Sequence, residues 1–138
     1  MDNAILYLKT IASEGNVEAQ HKLGVMYHEG FLVQRNYAEA VYWLRKAADN
    51  GHALSQGMLG DCYANGRGVS QDLKEAFKWY KKAADQGHTT AEYVVGYMYY
   101  VGEGANKDYQ EAAKWLKRAA DKGNQYALTT LIELRNKM

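Results

Sequence analysis

Glu75 to His88 reads EAFKWYKKAADQGH, and nearly the same fourteen letters occur twice more, as EAVYWLRKAADNGH from Glu39 and EAAKWLKRAADKGN from Glu111. The step between copies is 36 residues. Gly15, Gly51, Gly87 and Gly123 keep that step, and so do Trp43, Trp79 and Trp115, with Tyr7 in the slot before them. A fixed period of this length marks a repeat architecture. One short helical unit cannot bury its apolar stripe alone, so stacked copies bury it against each other and each copy needs the same contacting residues.

Each unit splits into two helical patterns. The first, the A-helix, carries Ala19, Leu23, Gly24, Met26 and Tyr27 in one copy. The next copies carry Ser55, Leu59, Gly60, Cys62 and Tyr63, then Ala91, Val95, Gly96, Met98 and Tyr99. These offsets fall on one side of a 3.6-residue helix. Gly30, Gly66 and Gly102 follow, and glycine there suits a left-handed helix stop. The second pattern, the B-helix, opens with Asn36-x-x-Glu39, Asp72-x-x-Glu75 or Asp108-x-x-Glu111. That spacing predicts a capping box, in which the glutamate reaches back to the cap. Apolar positions then recur as Ala40, Trp43, Leu44, Ala47 and Ala48.

The boundaries follow. One domain, 1–138, divides into a B-helix at 1–15, repeats at 16–51, 52–87 and 88–123, and a terminal A-helix at 124–138. The terminal helix puts Ile132 in the Gly96 slot and Arg135 in the Tyr99 slot, as expected where no further unit is received. In the first copy, Phe31 and Leu32 replace the pairs Arg67-Gly68 and Glu103-Gly104.

Composition narrows the function. Apolar residues make up 47% and charged residues 24%, which describes a globular chain rather than a disordered one. A net charge of +1 supplies no field for nucleic acid. No stretch reaches the length of a membrane span. Cys62, the single cysteine, allows no internal disulfide. As written, the chain reads as one for a reducing, cytoplasmic compartment, with export only through a segment upstream of Met1.

With these motifs in place, the chain resembles the Sel-one-like repeat family. The middle copy, LGDCYANGRGVSQDLKEAFKWYKKAADQG from Leu59 to Gly87, carries the resemblance most fully. The tetratricopeptide pattern fits less well, since it steps by 34 residues and uses a proline this chain lacks. The resemblance implies an all-α fold: a right-handed superhelical solenoid of antiparallel helix pairs, with A-helices lining a concave groove. It implies a scaffold that binds a protein or peptide, in a repeat protein of bacterial type. A cysteine-rich branch of the family is linked to β-lactam binding or hydrolysis, and that branch carries a disulfide in each repeat. Self-association through the unpaired end helices is a further alternative.

No enzyme signature or cofactor motif appears. There is no Gly-x-Ser-x-Gly, phosphate loop or Ser-x-x-Lys, and Ser13, Ser55 and Ser70 show no base beside them in the sequence. His52 and His88 follow the helix-ending glycine, where Asn16 and Asn124 also sit, and read as caps. His21 and His28 share a helix face seven residues apart, without a firm third ligand for a metal. Cys62 reads as a buried, inert thiol.

Tyrosine is in excess, at twelve residues. Tyr93, Tyr97, Tyr100 and Tyr126 occupy slots where other copies carry unrelated residues, so packing common to all copies does not demand them. Tyr93, Tyr97 and Tyr100, at i, i+4 and i+7, share a face opposite the Ala91-Val95-Tyr99 stripe. The columns expected in the groove are His21-Val25-His28, Gly57-Asp61-Ala64, Tyr93-Tyr97-Tyr100 and Thr129-Glu133-Asn136. The expectation is a recess with Asp61 at its floor, a tyrosine flank, and Glu133 beyond, suited to a peptide that presents Lys, Arg or a free amine.

Overall fold

The computed structural model describes residues 3–138, which form eight helices and no strand. They fall into two compact units, the first ending at Gln71 and the second spanning residues 72–138. The first holds α1 (Asn3–Ser13), α2 (Val17–Glu29), α3 (Tyr37–Asp49) and α4 (Ala53–Asn65). The second holds α5 (Leu73–Asp85), α6 (Thr89–Val101), α7 (Tyr109–Asp121) and α8 (Gln125–Lys137). A-helices are α2, α4, α6 and α8; the others are B-helices. The division at Gln71 falls between the A- and B-helices of the middle repeat.

Local chemistry sets the helix ends. Asn16, His52, His88 and Asn124 cap the A-helices, each side chain accepting from the backbone N–H three residues on. The two histidines thus do the work of asparagine through Nδ1. Asn36, Asp72 and Asp108 cap the B-helices and accept from the N–H of Glu39, Glu75 and Glu111. The returning half of the expected capping box is replaced. The Asn36 N–H donates to Tyr27 O and the Asp108 N–H to Tyr99 O, both at 2.9 Å, so the cap joins one helix to the preceding one. The glutamates Glu75 and Glu111 turn to Lys78 and Lys114 instead. Gly30, Gly66 and Gly102 end the A-helices at φ between 67° and 76°, in the left-handed region that glycine adopts without strain.

Small residues set the spacing between helices. In the first unit, a Cβ added to Gly24 would stand 2.6 Å from Leu44 Cγ. In the second, a Cβ on Gly96 would stand 2.8 Å from Leu116 Cγ and 3.0 Å from its backbone nitrogen. The α2–α3 pair and the α6–α7 pair therefore meet at van der Waals distance only because glycine occupies the slot. Tyr100, Leu116, Leu131 and Leu134 anchor the core of the second unit. Leu23, Leu44 and Leu59 are fully buried in the first.

The B-helix charges do more than face solvent. Lys82 Nζ lies 4.6 Å from the Trp79 ring and the Arg118 guanidinium 4.7 Å from that of Trp115, within cation–π range. Lys81 and Lys117 pair with Asp85 and Asp121, one turn on. Arg45, in the repeat slot of Lys81 and Lys117, instead donates to the Tyr63 hydroxyl.

Candidate functional site

The A-helix surface of the second unit brings three tyrosines together. Tyr93 and Tyr97 lie one turn apart on α6, with ring centroids 6.2 Å apart. Tyr126, at the start of α8, places its ring 6.0 Å from Tyr93. Tyr93 is half-buried and works as the bridge, while Tyr97 is 40% and Tyr126 73% exposed. Such tilted, offset rings support one another and leave faces and hydroxyls to solvent. Glu133, in the repeat slot of Tyr97, is exposed on α8.

Tyr100 departs from the expected wall. It is buried against Ala112, Leu116 and Leu134, and its ring packs 5.8 Å from that of Tyr109. Lys137 closes over it with Nζ 5.3 Å from the ring. A hydrogen bond to the Tyr100 hydroxyl raises the lysine's pKa. Tyr126 takes its place as the third available ring. The physical reason is that α8 bears apolar Leu131 and Leu134, which draw the Tyr100 ring into the core.

In the first unit, the groove candidates are drawn into other roles. His21 Nδ1 lies 2.7 Å from Ser55 Oγ, and its ring lies 4.5 Å from that of His52. His52 Nδ1 accepts from the Ser55 N–H at 3.2 Å, which makes its Nε2 the donor to Glu18 Oε1 at 3.0 Å. Ser55 Oγ is also 3.0 Å from His52 Nδ1. Burial first, and then the neighbouring His52, hold the His21 pKa below its ordinary 6.5, with Glu18 opposing. A serine therefore does stand beside two imidazoles, which the linear sequence did not reveal. Ser55 is fully buried, so no substrate carbonyl can reach its hydroxyl, and the cluster is a structural network. The signal available was the 34-residue offset from His21 to Ser55, visible only once α2 and α4 are placed side by side.

His28 turns away from His21, bonding Glu29 Oε1 at 2.9 Å and meeting the Tyr37 ring edge-on. Among the described residues no three His, Cys, Asp or Glu side chains gather as metal ligands. Val25 is half-buried, Asp61 is exposed and Gly57 is buried rather than open. Burial drives the Cys62 thiol up to about 11, with Asp61 adding to the shift and Arg67 opposing it.

One further feature escaped the sequence reading. Gln20 and Gln56 each donate through Nε2 to a backbone carbonyl, of Ala12 and Ala48 respectively. Their counterpart is Glu92, whose side chain is 3% exposed. A carboxylate cannot donate, and Lys122 supplies the charge it needs, with Nζ 2.9 Å from Glu92 Oε1 and 2.9 Å from Gly87 O.

Comparison with known proteins returns one family model, described as Sel1 repeat, over residues 17–52, 53–88 and 89–124. Among solved structures, a Sel1 repeat protein from Oxalobacter formigenes is 39% identical, over 96% of this chain and 99% of that one, with a TM-score of 0.85. The protein c5321, a protective antigen of uropathogenic Escherichia coli with an SLR fold, is 36% identical with a TM-score of 0.90. That match spans 93% of this chain but 27% of c5321. Helicobacter pylori cysteine rich protein B is 26% identical, over 90% of this chain and 94% of that one, at a TM-score of 0.70. A comparison with curated proteins returns no match.

Proposed function

This chain belongs to the Sel1 repeat family, an all-α helical-repeat family whose members serve generally as protein-interaction scaffolds, and we propose that it binds a peptide segment of a partner protein on its A-helix surface. The observation that carries this reading is the exposed aromatic run of Tyr97, Tyr93 and Tyr126. No repeat slot demands these rings, and Tyr126 in particular remains 73% exposed. Tyrosine offers large, rigid contact area with a hydroxyl for orientation at low entropy cost. The exposed carboxylate of Glu133 on the same helix as Tyr126 favours a segment that presents a Lys or Arg side chain, whose cation can rest on a ring face.

The test is capture of partners from a lysate of the source cells, followed by affinity measurement on the purified partner. Tyr97→Ala and Tyr126→Ala should each cost about 1 kcal/mol or more of binding, the scale of an interface hot spot. Lys78→Ala, on the B-helix α5, should leave affinity unchanged. The reading fails if the two tyrosine variants bind like the parent.

A further inference from the structure

Phe31 and Leu32 occupy the loop slot held by Arg67-Gly68 and Glu103-Gly104 in the later copies. Leu32 is the one non-glycine with positive φ among the described residues, at 63°. A left-handed backbone is unfavourable for leucine, and such strain persists where something else requires the side chain. Packing within the chain does not require it. Leu32 is 68% exposed and Phe31 is 61% exposed.

A cavity opens at each of the two residues. Phe31 shares one of about 340 Å³ with His21, Lys22, Val25 and Met26. Leu32 shares one of about 540 Å³ with Ile5, Tyr27, Val33 and Arg35. The first cavity has apolar walls, the second mixes apolar Ile5 and Val33 with polar Gln34 and Asn36, and each carries one cation, Lys22 in the first and Arg35 in the second. A third cation stands close by. The Arg35 and Arg67 guanidiniums lie 5.8 and 5.7 Å from the same Tyr37 ring. Among the described residues, Lys22, Arg35 and Arg67 form no ion pair with a carboxylate. Glu29, the neighbouring carboxylate on α2, is held by His28.

We propose that the Phe31-Leu32 loop is a second docking site, which takes an acidic segment of another protein with apolar anchor residues between its Asp or Glu side chains. Leu or Phe anchors fill the two cavities and remove Phe31 and Leu32 from water. The flanking carboxylates pair with Lys22, Arg35 and Arg67, which form no ion pair with a carboxylate among the described residues. The charge preference is opposite to that of the tyrosine surface, which lies in the other unit, so the two sites select different segments.

The test uses two synthetic fluorescent peptides, one placing Phe and Leu among Glu and Asp, the other replacing the acids by Lys and Arg. The acidic peptide should bind at least about tenfold more tightly than the basic one, and its affinity should fall as salt rises. The double substitution Phe31→Arg, Leu32→Gly installs the pair found in the second copy, so it should fold and melt no lower than the parent. It should weaken the acidic peptide about tenfold or more, as should Arg35→Gln with Arg67→Gln, while Tyr97→Ala leaves it unchanged. Equal binding of the two peptides, binding of neither, or full binding by the double variant would overturn the proposal. So would a parent dimer in sedimentation that the double variant abolishes, because a second copy would then be the occupant.

Discussion

Lys122 holds its ammonium 2.9 Å from the buried carboxylate of Glu92, where two other repeats use a neutral glutamine. Removing the lysine leaves a buried charge without a partner. Lys122→Ala should therefore destabilise the fold by about 1–3 kcal/mol, less than for a fully buried pair because the lysine is itself 43% exposed. Glu92→Gln restores the residue used by the other copies and should recover most of that loss in the double variant. Urea denaturation of the four proteins of the cycle measures it, and additivity of the two changes would contradict the coupling.

Gly96 is where α6 and α7 touch. The new Cβ of Gly96→Ala would sit 2.8 Å from Leu116 Cγ, so the leucine must move or the helices part. The expected loss is about 1–3 kcal/mol. Leu116→Val in the same chain should return part of it, because it opens space at the contact. Thermal melting checks both, and a neutral Gly96→Ala would show that the helices are not held at this distance.

His21 makes the fold sensitive to mild acid. Its folded pKa lies below the ordinary 6.5, so the unfolded chain takes up the proton first as pH falls. The stability it supports is present above about pH 6.5 and is lost as pH falls through the lower folded pKa. The groups facing it are Ser55 and His52 from the α4 terminus and Glu18 on its own helix. His21→Gln should flatten the dependence of melting temperature on pH between about 7 and 5. An unchanged slope would assign that dependence to another group.

Cys62 should resist modification in the folded chain. It is fully buried and its pKa is pushed up to about 11, so the reactive thiolate is scarce near neutral pH. A thiol reagent should label it at the rate of unfolding, and addition of urea should release the reaction. Rapid labelling of the native protein would place the thiol at the surface.

The repeat and its helices were legible because one 36-residue period fixes caps, glycine contacts and aromatic slots at once, and each copy confirms the others. The tyrosine surface was legible in part for the converse reason. Tyr93, Tyr97 and Tyr126 stand out where copies disagree. What could not be read was how side chains choose partners on neighbouring helices. Tyr100 shares a face with Tyr97 in sequence, yet Leu131 and Leu134 on α8 take it into the core. The Ser55 network and the Glu92–Lys122 pair join residues about thirty positions apart. The half-correct capping box has the same origin. A carbonyl of the previous helix, Tyr27 O or Tyr99 O, outcompetes the local glutamate.

The central claim is that the exposed tyrosines of α6 and α8 receive a partner's peptide. It is tested most directly by titrating the binding segment of the captured partner into isotope-labelled protein and following backbone amide resonances. The largest changes should fall at Tyr93, Tyr97, Tyr126 and Glu133 and fade toward the B-helices. Changes confined to the B-helices α5 and α7, with α6 and α8 unmoved, would contradict the claim.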